Sequence, residues 1–116
     1  MKATELRIGN WWTNGKENYV VDASTIYDME TAQKDGQYDL YKPVPLTQEW
    51  LFKLGAQEKY SGIFVFKTNK RSVIQLHKFI TMDSYKCAQT RLKMNYVHEL
   101  QNLYFALTGE ELETNQ

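Results

Sequence analysis

The chain has 116 residues, which gives room for one domain with a modest core and excludes a two-domain protein of ordinary size. Its hydrophobic share of 42% and charged share of 24% describe a globular chain and exclude a disordered or fibrous one. The 14 basic and 14 acidic residues cancel, so any attraction to a charged partner has to come from a local face.

Residues 6–22 read as a β-ribbon. Leu6 and Ile8 alternate around Arg7, Trp11-Trp12-Thr13 meets Asn14-Gly15, and Asn18-Tyr19-Val20-Val21 follows. Asn-Gly can adopt the positive φ angles of a type I′ turn and is therefore a strong hairpin signal. Residues 23–40 are polar and turn-rich, with Lys34-Asp35-Gly36 in the middle, and are expected to be flexible. In Lys42-Pro43-Val44-Pro45-Leu46-Thr47 the two prolines hold the chain extended. Thr47 then caps a short helix near 47–54, Leu46 and Leu51 staple it, Glu49 complements its dipole and Gly55 stops it.

An antiparallel sheet is expected from about 62 to 93. Ile63-Phe64-Val65-Phe66 and residues 73–80 are rich in β-branched and aromatic side chains, and a weaker third strand covers 84–93. Ile74, Leu76 and Ile80 share one face while Gln75 and His77 take the other, which predicts one packed side and one wet side. From 96 to 108, Val97, Leu100, Leu103, Tyr104 and Leu107 form the apolar stripe of a helix that Gly109 ends. Thr108-Gly109-Glu110-Glu111 has capping-box spacing for one further turn, and residues 113–116 form a tail. The expected fold is α+β, a single domain over 1–116 with the C-terminal helix packed on the antiparallel sheet.

The charge is divided along the chain. Residues 52–94 carry nine basic residues against Glu58 and Asp83, net +7, while residues 1–51 carry −3 and residues 95–116 carry −4. Lysines on a wet sheet or its edges guard against aggregation, and the same excess fits a polyanion. Catalytic signatures are weak. Cys87, His77 and His98 stand singly, the six glycines are scattered, and Glu110-Glu111 suits a solvated helix start. No catalytic residue, cofactor or metal ligand is assigned, and Cys87 is expected to be a buried, inert thiol. One cysteine, the absence of an apolar run in MKATELRIGN and the absence of any stretch of 18 apolar residues point to a reducing, cytosolic setting rather than to secretion or a membrane.

Three elements carry a resemblance. They are Leu6-Arg7-Ile8-Gly9-Asn10, then Tyr41-Lys42-Pro43-Val44-Pro45-Leu46-Thr47-Gln48-Glu49-Trp50-Leu51, then the 17 residues from Tyr96 to Leu112, YVHELQNLYFALTGEEL. Together they resemble a family of short, largely uncharacterised proteins carried by phages, prophages and mobile elements of gut Bacteroidetes. Its pattern is LRIGN, Y-x-P-I-P-L-T-E-E-W-L and Y-V-H-Q-L-Q-N-L-Y-F-A-L-T-G-E-E-L, from which this chain departs at Val44, Gln48 and Glu99. Residues 56–95 match only in general strand character. The resemblance implies a phage or mobile-element protein acting in the bacterial host cytoplasm and supplies no catalytic residues.

The matching words read mainly as fold determinants, except that His98, Gln101, Asn102 and Phe105 lie off the apolar stripe and offer a contact surface. With Trp11 and Trp12, whose side chains point to opposite faces of a strand, they favour a non-catalytic binding protein. Its partner would be a host or phage protein, or a second copy. The alternative is nucleic-acid binding through segment 52–94, with Lys67, Lys70 and Arg71 at a hairpin tip beside Tyr60, Phe64 or Phe66.

Overall fold

The computed structural model describes residues 1–37, 40–67, 73–78 and 84–114. A turn of 3-10 helix, Ala3–Glu5, precedes β1 (Trp11–Thr13), β2 (Asn18–Val20), α1 (Ala23–Lys34), β3 (Lys42–Pro43) and α2 (Gln48–Lys53). Then come β4 (Gln57–Tyr60), β5 (Ile63–Lys67), β6 (Val73–His77), β7 (Tyr85–Cys87), β8 (Lys93–Met94) and α3 (Val97–Thr108). The strands form two antiparallel sheets, β2-β1-β3 and a sequential meander β4-β5-β6-β7-β8. The fold is therefore α+β, as the periodicities predict. No described helix is long and apolar enough to cross a membrane.

The larger core fills the space between one face of the five-stranded sheet and the helices α2 and α3. Phe64, Phe66, Ile74, Leu76, Tyr85, Cys87 and Met94 meet Trp50, Leu51, Leu54, Val97, Leu100 and Tyr104 there. Fully burying a side chain of this size is worth about 1.5–3 kcal/mol, and the alternation of β5 and β6 delivers these residues to one side. A smaller core holds Ala3, Leu6, Val21 and Met29 under the N-terminal turn and α1. The three-stranded sheet stands between the two cores. Trp11 meets Trp50 edge-on at 5.2 Å on one side, while Trp12 packs on Tyr19 and Tyr41, each at 4.8 Å, on the other.

The short helix follows its local signals closely. The Thr47 hydroxyl accepts the Trp50 N–H at 3.2 Å, and Gly55, at φ +97, supplies the left-handed residue after the helix. α3 likewise ends at Gly109, at φ +75.

Some expectations need correction. The weaker strand expected over 84–93 is two short strands, β7 and β8, which pair with each other across a turn, and Leu107, expected on the packed stripe of α3, is 44% exposed. Residues 23–34, read as part of a flexible segment, form α1, which buries only Met29 and so shows little apolar stripe. Its start is fixed by a reciprocal cap: Asp22 accepts the Thr25 N–H at 2.8 Å, and the Asp22 N–H donates back to Thr25 Oγ1. Residues 6–10 are not strand. Leu6 is buried and Ile8 is 61% exposed, and Gly9, at φ +98, turns the chain before β1 begins. The hairpin signalled by Asn14-Gly15 does form, β1 pairing with β2 across a four-residue loop in which Asn14 Oδ1 accepts the N–H groups of Lys16 and Glu17. No helical turn follows Gly109. Thr108 Oγ1 instead donates to Tyr104 O at 2.7 Å and accepts the Glu110 N–H at 3.1 Å, and Leu112 returns to the core.

Candidate functional site

The residues offered as a contact surface on α3 face inward and fasten the N-terminal turn. Gln101 is 1% exposed; its Oε1 accepts the Trp11 N–H at 3.0 Å and its Nε2 donates to Gly9 O at 3.0 Å. One side chain thus satisfies the backbone groups on either side of Asn10, as a neighbouring strand would. Asn10 is fully buried, with its Nδ2 donating to Asn102 Oδ1 at 2.9 Å, and Asn102 Nδ2 donates to Glu5 O at 2.9 Å. Arg7 lays its guanidinium 3.8 Å from the centre of the Phe105 ring, donates to Asn102 Oδ1 at 3.2 Å and pairs with Glu111. Phe105 keeps 39% of its surface exposed beneath that guanidinium.

His98 is 3% exposed, with Nε2 3.5 Å from Glu5 Oε2, and burial pushes its pKa down while the carboxylates of Glu99 and Glu5 pull the other way. Its Nδ1 finds no partner among the described residues. The expectation that His98 and Gln101 present a free surface is therefore corrected: their polar groups are directed into the protein. Trp11 and Trp12 are half-buried, one against each core, because both faces of their sheet are covered.

Cys87 is fully buried, as expected, and donates to Gln89 Oε1 at 3.4 Å. It stands opposite Leu76 on the packed side of the five-stranded sheet, whereas His77 and Lys86, one position along, take the other side. No group of three or more His, Cys, Asp or Glu among the described residues is placed to hold a metal ion. Three clefts of ≈ 270, 470 and 570 Å³ are lined by neither imidazole nor thiol.

The second face of the five-stranded sheet is of a different character. Residues directly opposed on paired strands project to the same side. Tyr60 opposes Ile63, Ile63 opposes His77, His77 opposes Lys86 and Lys86 opposes Lys93, so these five residues form one row across all five strands. Two steps along β5 on the same side lie Val65, flanked by Gln57 and Gln75, and then Lys67. Gln57, Tyr60, Lys67, Lys86 and Lys93 are exposed, Ile63, Gln75 and His77 half-buried, and Val65 between the two glutamines is buried. The β4–β5 register slips between Glu58 and Tyr60, and this irregularity brings the Lys59 ammonium to 5.9 Å from the Tyr60 ring centre.

No carboxylate pairs with Lys59, Lys67, Lys86 or Lys93 among the described residues. Glu58, the one acid of the described sheet strands, opposes Phe64 and belongs to the packed side, where its charge helps raise the Tyr85 pKa behind the larger effect of burial. Lys86 and Lys93 stand directly opposite each other, an arrangement that disfavours folding.

Of the residues proposed for nucleic acid, Lys67 lies on this face, and Lys70 and Arg71 lie outside the described residues. Phe64 and Phe66 are buried at 3% and 2%, leaving Tyr60, at 65% exposure, as the accessible ring of the three. Sequence reasoning missed the row itself. The +7 excess was its signal, but the register that gathers Lys59, Lys86 and Lys93 on one side is set by pairing between distant strands. Comparison with protein-family models, curated proteins and solved structures gives no match to this chain.

Proposed function

We propose that the protein is a non-catalytic binding protein whose ligand is a nucleic acid held on the open face of the five-stranded sheet, acting in the setting of a phage or mobile element. The observation that carries this reading is the directly opposed pair Lys86–Lys93 on a face without a described acid. Opposed ammoniums cost folding stability, and an anionic ligand placed across them turns that repulsion into attraction.

Four lysines, each meeting one phosphate, give a salt dependence of about −2.8 in log–log slope for a single strand and about −3.6 for a duplex. Affinity should then fall roughly 50-fold or more between about 50 and 200 mM salt. Fluorescence anisotropy with labelled oligonucleotides reads both quantities. The double variant Lys86→Gln/Lys93→Gln should bind more weakly and lose about half of the slope. Parent-like affinity and slope in that variant would remove the sheet face from consideration.

A protein partner, or a second copy, is the other reading. Its support has moved to the outer side of α3, where Phe105 and Leu107 are 39% and 44% exposed. Salt-insensitive association reduced by Leu107→Lys would favour it.

A further inference from the structure

We infer that the nucleic acid on this face is single-stranded, crossing the β-strands with a base stacked on Tyr60 and phosphates on Lys86 and Lys93. The inference rests on the nucleic-acid reading above and specifies its ligand. Tyr60 closes one end of the row and is 65% exposed, which leaves its ring open to a ligand on the same side as the lysines. It is the last residue of β4, held beside the two-residue turn Ser61-Gly62, where Gly62 adopts φ +81. Its position is therefore fixed by the hairpin and not by a long loop.

An exposed ring with an ammonium beside it offers what an unpaired base needs, a stacking surface and a cation for the adjoining phosphate. A base inside a duplex is already stacked on both sides and cannot use Tyr60 without being extruded. The helices α2 and α3 pack on the opposite side of the sheet, and α3 carries no Lys or Arg with which to enter a major groove.

The dimensions agree. Neighbouring strands lie about 4.8 Å apart, so Tyr60 on β4 and Lys93 on β8 are separated by four spacings, about 19 Å. At the stacked rise of about 3.4 Å that is close to six nucleotides, and fewer if the strand is stretched. Such a length falls within the range of sheet-based single-strand sites. Ile63 and His77, half-buried between the two ends, form the floor of the path.

The test compares short labelled oligothymidine with a duplex of equal length, using the parent protein, Tyr60→Ala, Tyr60→Phe and the Lys86→Gln/Lys93→Gln variant, with circular dichroism confirming that each is folded. The single strand should bind more tightly than the duplex. Tyr60→Ala should weaken it about ten-fold without changing the salt slope, and Tyr60→Phe should keep parent affinity, because stacking uses the ring and not the hydroxyl. Equal affinity for duplex and single strand overturns the inference, as does parent-like binding by Tyr60→Ala when the lysine variant has lost binding. Either result leaves the nucleic-acid reading standing. Failure of both nucleic acids to bind the parent at low salt overturns the inference together with that reading. So does equal binding of polyglutamate, which would make an acidic polypeptide the ligand.

Discussion

Replacing Gln101 with leucine tests the fastening of the N-terminal turn directly. The side chain keeps its size and helix propensity, but the Trp11 N–H and the Gly9 carbonyl, each bonded at 3.0 Å to the carboxamide, lose their partner. The contacts to Asn10 Nδ2 at 3.5 Å and Leu112 O at 3.4 Å are long and contribute little. A buried backbone group left unsatisfied costs about 1–3 kcal/mol, so two of them cost about 2–6 kcal/mol. The added apolar surface returns about 1 kcal/mol. A loss near 3 kcal/mol is expected, which lowers Tm by about 10–15 °C in a domain of this size. Urea denaturation followed by far-UV circular dichroism measures it, with Gln48→Leu on the exposed first turn of α2 as control.

Gln101→Glu sharpens the test. One oxygen can still accept from Trp11, but the other faces the Gly9 and Leu112 carbonyls, so the buried carboxyl is held protonated above its unfolded pKa of about 4.3. The folded state then binds the extra proton, and stability is highest below about pH 4.3 and declines as pH rises towards the folded pKa. The deficit relative to the parent should therefore shrink on acidification. A loss below about 1 kcal/mol for the leucine variant, or a pH-independent deficit for the glutamate variant, refutes the role given to this carboxamide.

Two further outcomes follow from the same region. Burial lowers the His98 pKa from 6.5, so the unfolded chain takes up its proton first. Stability from this group is full above pH 6.5 and is lost as pH falls from there towards the folded pKa; His98→Gln should flatten that part of a stability–pH profile, and an unchanged slope would count against it. Arg7→Lys keeps the charge but loses the planar stack on Phe105 and the forked contacts, so it should cost about 1–2 kcal/mol. Glu111→Gln should cost less than about 1 kcal/mol because the pair is 30% and 38% exposed, and the reverse order of the two losses would show that the ion pair matters more than the stack.

Elements whose signals are local and redundant were legible in the sequence. Thr47, Leu46 and Gly55 bracket α2, and the stripe ending at Gly109 marks α3, because cap, staple and stop lie within a few residues of one another. α1 was not legible. Its apolar side is reduced to Met29, with Ile26 and Gln33 half-buried, and its Asp22–Thr25 cap lies in a polar run that reads equally well as loop. β4 escaped for a similar reason, since all four of its residues are exposed and it gains its place only by pairing with β5. The inward side of His98 and Gln101 was hidden because an amphipathic stripe is read against a single core. α3 packs apolar residues on the sheet and polar ones on the turn at residues 6–10.

That second packing explains why the most distinctive sequence words are poor guides to the ligand. Residues 6–10, 41–51 and 96–112 meet one another in space. Arg7 and Asn10 bond to Asn102, Val44 O accepts the Val97 N–H at 2.9 Å, and Pro45 bridges to Tyr96. They form a connected frame whose groups are largely satisfied within it. The open face is built from residues 57–94, whose alternate side chains turn away from the larger core and end in the exposed Tyr60, Lys67, Lys86 and Lys93. Frame and face are therefore separable by experiment. Gln101→Leu should lower stability and leave oligonucleotide affinity per folded molecule unchanged, whereas Lys86→Gln/Lys93→Gln should weaken affinity and, by relieving the opposed ammoniums, leave stability equal or slightly raised. Loss of both properties in the lysine variant would mean that the face is part of the frame, and the division of labour drawn between them would fail.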